Sequence, residues 1–299
     1  MRAKTIAFIN FKGGVGKTAT VVNLGATIAK YHGKKVLIVD LDPQCNSSLW
    51  LLDPEVWREH VSDLTRSAYQ IFDDHIVGTH HFDFEKAVLR GVPYSKDGGF
   101  SMLSHLDLLP GSVELLRLED RLHQNRTAPY FKYLHQTLRP YQNDYDYIFL
   151  DCAPNLYSIT KNALFAADYC VVPYVPDYLS LSGFGILADE VEKFYESVSG
   201  HLQGRKRPKI AALIVSHYRK IGDVFKHAVN ELEQMAIALR ASDQIHRKTV
   251  ILEPYIRHDV KVAESTSEHL PVVLHAPSSI GSQDYADLAV NFLNHFENL

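Results

Sequence analysis

Short, nearly uninterrupted apolar runs alternate along this chain with longer stretches whose apolar residues recur at helical spacing. Runs at 5–9, 35–39, 106–109, 147–150, 169–175, 210–216 and near 250–252 read as strands, because a strand covered on both faces has no polar side to show. Residues 18–31, with Val21, Val22, Leu24 and Ile28 on one stripe, read as a helix, as do 68–76, 84–90, 113–123, 128–138, 179–197, 224–239 and 284–296. This order predicts an α/β fold, with a doubly wound, mostly parallel sheet flanked by helices. A single domain over residues 1–299 is expected.

The junction of the first strand and first helix carries the clearest chemistry. Phe11-Lys12-Gly13-Gly14-Val15-Gly16-Lys17-Thr18-Ala19 is a glycine-rich turn between an apolar run and a helix. Backbone N–H groups in such a turn, with the helix N-terminal dipole, form a pocket for anionic oxygens. Lys17 would reach the β- and γ-phosphates and the Thr18 hydroxyl would ligate magnesium. Two further sites lie at predicted strand ends, where ligands bind in open α/β sheets. Asp40 and Asp42, in Asp40-Leu41-Asp42-Pro43-Gln44-Cys45-Asn46, point the same way; one could hold magnesium-bound water and the other orient an attacking water. Asp151 ends the run Tyr147-Ile148-Phe149-Leu150 and offers a carboxylate to a magnesium shell.

These stretches together resemble the ParA/MinD family. The first glycine of the ordinary phosphate-loop pattern is replaced by Phe11, and a second lysine, Lys12, heads the loop, as in that family's deviant Walker A motif. Asp42-Pro43-Gln44 resembles its first switch segment and Asp151-Cys152-Ala153-Pro154 its second. The resemblance implies a ParA-type ATPase using ATP and Mg2+ and forming an ATP-sandwiched homodimer. Lys12 would serve the partner's nucleotide, Asp42 would position the hydrolytic water, and Thr18, Asp40 and Asp151 would form the metal site. Val175-Pro176-Asp177-Tyr178 would lie where the dimer partners meet. Ala19 stands where many members have threonine, removing a hydroxyl contact to the α-phosphate. The resemblance also implies non-specific binding to double-stranded DNA and hydrolysis stimulated by a ParB-like or other cargo adaptor.

Charge sharpens the DNA expectation. The net charge is −4, yet residues 200–262 hold 12 Lys and Arg against 6 Asp and Glu. A basic segment on an acidic protein suits a polyanion. Arg219, Lys220, Arg247, Lys248, Arg257 and Lys261 are the candidate phosphate contacts, Arg257 and Lys261 by the family resemblance. Two rivals share the loop. A membrane-surface ATPase of the MinD type needs a basic amphipathic tail, and no Lys or Arg follows Lys261, so no membrane partner is expected. An electron-transfer ATPase of the nitrogenase iron-protein type needs cluster cysteines; Cys152 adjoins Asp151, but Cys45 and Cys170 show no cluster spacing. An odd cysteine count, no long apolar run and an N-terminus that enters a strand at once predict a cytoplasmic protein, and the DNA binding that the resemblance implies would make it nucleoid-associated. No leader and no N-terminal DNA-reading domain are expected. Residues 47–104 announce little chemistry, and Trp50 and Trp57 read as packing residues.

Overall fold

A computed structural model describes residues 2–94, 99–124, 129–219 and 223–299. Among these, the strands are β1 (Lys4–Phe8), β2 (Val36–Leu41), β3 (Leu106–Leu109), β4 (Tyr147–Cys152), β5 (Tyr169–Tyr174), β6 (Lys209–Val215) and β7 (Val250–Leu252). They form one sheet in the order β3-β2-β4-β1-β5-β6-β7, with every pairing parallel. The helices are α1 (Lys17–His32), α2 (Asn46–Leu51), α3 (Pro54–Ser62), α4 (Ala68–Val77), α5 (Phe84–Ala87), α6 (Leu115–Gln124) and α7 (Tyr133–Leu138). They continue with α8 (Ser158–Ala166), α9 (Tyr178–Val198), α10 (Asp223–Ala241), α11 (Val260–Ser267), α12 (Val272–His275) and α13 (Ile280–Glu297).

Two cores cover the two faces of the sheet. On one, Val21 and Leu24 of α1 pack with Tyr285, Leu288 and Phe292 of α13 over Phe8 and Phe149. The Phe149 ring meets Phe8 and Phe292 edge-on, with centroids 5.0 and 5.6 Å away. On the other, Ile71, Leu118, Leu134, Phe165, Leu187 and Leu232 pack from α4, α6, α7, α8, α9 and α10. Gly25 lets α1 lie close to the sheet, since a Cβ there would stand 3.3 Å from Ile38 Cδ1. Asn23, fully buried on α1, donates to Ala19 O at 2.8 Å and accepts from Val272 N at 2.7 Å, which ties α1 to α12.

The strands follow the apolar runs to within a residue or two. The helix expected over 84–90 stops at Ala87, because Leu89 pairs with Leu108 in an antiparallel bridge and covers the edge of β3. The helix expected over 128–138 is a 3-10 turn, Tyr130–Lys132, followed by α7; Ala128 lies outside the described residues. The final helix begins earlier than its stripe, at Ile280, where Ser279 accepts a capping hydrogen bond from Ser282 N. Helices α2, α3, α8, α11 and α12 had no counterpart in the pattern; they are too short to show a convincing stripe. Both tryptophans pack as expected, Trp50 Nε1 donating to Leu270 O and Trp57 Nε1 to Gly111 O.

Candidate active site

Parallel pairing brings the sequence-predicted chemistry to one edge. Phe8 is level with Asp151, and Asp151 is level with Asp40, so the carboxyl ends of β1, β4 and β2 lie side by side. The glycine loop leaves β1 here. Gly14 and Gly16 have φ of 74° and 75°, the left-handed region that glycine adopts without a Cβ penalty. A Cβ on Gly13 or Gly14 would meet nothing within 4 Å, so the loop is open on that side. Ser216, just after β6, donates to Val15 O at 2.7 Å and pins the loop. Helix α1 then starts at Lys17, and its first N–H groups have no partner within the helix.

Lys17 is buried, with 7% of its surface exposed, and its charge acts on Asp151. Asp151 is fully buried. Its Oδ2 accepts from the Thr18 hydroxyl at 2.9 Å and the Ser47 hydroxyl at 2.7 Å, while its Oδ1 is buried with no hydrogen-bond partner. Burial pushes its carboxyl up, and Lys17, Ser47 and Thr18 pull it the other way. A bare, buried carboxylate oxygen beside a threonine hydroxyl is a hard-oxygen donor set that fits a divalent cation. Ser47, at the start of α2, went unnoticed in the sequence.

Asp40 is differently placed. Its Oδ2 accepts from Ser48 N at 2.9 Å and Ser48 Oγ at 2.7 Å, and a Cβ on Gly111 would stand 3.1 Å from its carboxyl carbon. Burial first, and then the charge of Asp151, push its carboxyl up to about 8. Asp40 thus has donors of its own, whereas Asp151 keeps a bare oxygen. Asp42, 5% exposed at the end of β2, accepts from Gln44 N through Oδ1 at 2.9 Å.

Lys12 stands at the head of the loop, half-exposed. Its ammonium is 2.5 Å from Asp177 Oδ2 and 3.2 Å from Ser180 Oγ, at the N-terminus of α9. Asp177 also caps that helix, accepting from Ser180 N at 2.8 Å. Beside α1 is a cavity of about 180 Å³ walled by Gly16, Ala19, Ser216, His217, Arg257 and His258. The missing hydroxyl at Ala19 opens onto it. The histidine rings are 6.0 Å apart. His217 belongs to no motif, and His258, inside the 255–265 stretch that resembles the family's last block, has no assigned role there, so the pattern gave no sign of this wall.

The basic candidates do not come together. Arg219, Arg257 and Lys261 follow β6 or β7 and lie at the carboxyl edge; Lys220 lies outside the described residues. Arg247 and Lys248 precede β7 and lie at the amino edge, roughly 20 Å away at about 3.3 Å per strand residue. Arg219 and Arg247 are exposed. The Arg257 guanidinium is held by the buried Asp284, with Nη2 2.6 Å from Oδ1 and Nε 3.0 Å from Oδ2. Lys261 pairs with Glu264 at 2.6 Å, and Lys248 donates to Asn298 O at 2.7 Å.

Comparison with known proteins agrees with this layout. The AAA_31 family model, described as an AAA domain, matches residues 3–204. The sporulation initiation inhibitor protein Soj of Bacillus subtilis is 30% identical over 96% of this chain and 96% of its own. The chromosome-partitioning ATPase Soj of Treponema pallidum is 28% identical over 96% and 95%. Among solved structures, cobyrinic acid a,c-diamide synthase from Mycobacterium smegmatis, with bound ATP analog and magnesium, superposes with a TM-score of 0.67. It is 23% identical and covers 99% of this chain and 96% of that one, a likeness of fold.

Proposed function

Because the chain belongs to the ParA-type partition ATPases, we propose that ATP and magnesium bind in the 12–19 loop of this ATPase. The observation that carries this is the Asp151 carboxylate, one oxygen held by Thr18 and Ser47 and the other buried and bare beside Lys17. Lys17 holds the β- and γ-phosphates, and the loop N–H groups take the remaining oxygens. The cavity beside Ala19 receives the base end of the nucleotide. Thr18 and Asp151 would hold magnesium, with Asp40 behind them, and the bound ion would supply positive charge beside the phosphates. Asp42 accepts a hydrogen bond from a water aligned with the γ-phosphorus. As that water's oxygen bonds to phosphorus, the bond to the β-phosphate oxygen breaks, ADP leaves, and a proton of the water passes to the released phosphate.

Two copies pair around the nucleotides, each Lys12 reaching the phosphates of the other. The dimer holds duplex DNA through exposed basic residues until a cargo-bound adaptor stimulates hydrolysis. Arg219 and Lys261 are the contacts favoured at the carboxyl edge; Arg257 positions the cavity wall through Asp284. Helix α13 spends its apolar face, including Leu288, Phe292 and Phe296, on the core, which argues against a membrane-lying tail. The three cysteines are buried, which argues against an iron–sulfur cluster bridging two subunits. No helix among the described residues is long and apolar enough to cross a membrane.

The test of this reading is retention of labelled duplex DNA with ATP, with ADP and without nucleotide. Affinity should appear with ATP, ignore sequence, and fall with salt by about 0.9 in log K per log salt for each phosphate contact. DNA affinity indifferent to nucleotide would overturn it. Lys12→Ala should still bind ATP but elute as a monomer from a sizing column run in ATP. A variant that dimerises like the parent would remove the trans role from Lys12. Ser47→Ala takes one donor from Asp151 and should raise the magnesium concentration for half-maximal phosphate release about tenfold. An unchanged magnesium titration would leave Ser47 a packing residue only.

A further inference from the structure

The amino edge of the sheet, opposite the nucleotide site, carries a second concentration of charge that ATP hydrolysis does not use. Strand β6 is entered through Gly204-Arg205-Lys206-Arg207-Pro208-Lys209. Arg205, Lys206, Arg207 and Lys209 line a cavity of about 330 Å³ together with Arg2 and Lys4, at the starts of β1, β5 and β6. Three carboxylates pair with these six cations: Asp168 with Arg2, Glu192 with Arg207, and Asp243 with Lys209. Lys4, Arg205 and Lys206 have no carboxylate within ion-pair distance among the described residues, although Glu297 and Asp168 act on Lys4 from further away and Asp168 on Arg205.

The cations are not loose surface chains. Arg205 donates from Nη1 to Phe165 O at 2.9 Å and from Nη2 to Ala167 O at 3.2 Å, closing the end of α8, and lies over the Phe165 ring. Arg207 lies over the Tyr195 ring, and its Nε is buried with no acceptor. Lys4 donates to Phe296 O, and burial lowers its pKa, which a nearby anion would offset. Lys206 is exposed at the rim. Fixed guanidinium forks and cations that outnumber the carboxylates lining one concavity suit an anion of several charges.

We propose that this cleft binds phosphate groups. Two sources offer that chemistry, a free polyphosphate anion and the backbone of duplex DNA. The inference stands independently of the nucleotide site, which lies at the other end of the strands.

The experiment titrates the full chain, saturated with ADP and magnesium, with inorganic tripolyphosphate by calorimetry. Retention of duplex DNA is measured in parallel on the chain saturated with ATP and magnesium, the state in which DNA affinity is expected. Lys206→Glu is the main variant, because its side chain is exposed and supports no packing; Arg207→Gln is the second. Tripolyphosphate should bind the parent, and Lys206→Glu should weaken it about tenfold, the scale of one charge-assisted hydrogen bond. Binding to the loop at Lys17 would not respond to that change, so the two sites separate. Weakened tripolyphosphate binding with unchanged DNA retention assigns the cleft to a free anion. Weakened DNA retention, relieved in the parent by tripolyphosphate competition, assigns it to the backbone. If neither ligand responds to Lys206→Glu, the cleft is a solvated surface and the proposal fails, whether or not Arg207→Gln folds.

Discussion

Lys17→Ala lowers ATP affinity by at least about a hundredfold, since two charge-assisted hydrogen bonds to phosphate contribute roughly 3 kcal/mol or more. A second effect adds to the first. Lys17 is the cation whose charge counters the burial of Asp151, and Asp151 Oδ1 has no hydrogen-bond partner among the described residues. Without it the Asp151 carboxyl moves further toward its protonated form, and a protonated acid is a poor magnesium ligand. Loss of affinity should therefore be larger with magnesium present than with ATP alone. Calorimetry under both conditions reads this directly. Micromolar affinity in the variant would remove the phosphate-loop assignment, and equal losses would remove the coupling to Asp151.

Asp42→Ala should leave ATP binding within a few-fold of the parent while slowing phosphate release by about 10²–10⁴, the usual contribution of a positioned acid–base group. Asp42 bonds to Gln44 and to neither Thr18 nor Asp151, so its loss leaves the proposed metal site standing. The variant should accumulate as an ATP dimer that stays on DNA. Single-turnover release of labelled phosphate is the measurement. Release at the parent rate would take the role from Asp42, and Asp40 is a poor heir. It is fully buried, its Oδ2 is held twice by Ser48, and its carboxyl is pushed up to about 8.

What the sequence made legible was whatever lies close along the chain. The apolar runs, the glycine loop and the two acidic strand ends are local patterns, and the structure brings them to one edge as parallel pairing requires. Ser47 was not legible, because a serine near a turn is ordinary until the β2–β4 register sets α2 beside Asp151. His217, with φ of 53°, and His258 are 41 residues apart and meet only because the turns after β6 and β7 are neighbours. The basic segment misled for a related reason. Counting charge along the chain ignores strand direction, so Arg247 and Arg257, ten residues apart, fall at opposite ends of the sheet. The Arg257–Asp284 pair joins the turn after β7 to α13, a contact that no spacing announces.

The Lys12–Asp177 ion pair sets a threshold of concentration. On the proposed trans role, each subunit must give up this pair before its lysine can cross to the other. With 42% and 39% of the two side chains exposed, water screens the pair, and its strength is about 0–1 kcal/mol. A dimer breaks two, which lowers its association constant by at most about thirtyfold. Asp177→Asn would shift the half-dimer point to lower protein concentration without touching the nucleotide. A latch this weak does not forbid assembly; it makes the onset of assembly follow how much protein the cell holds.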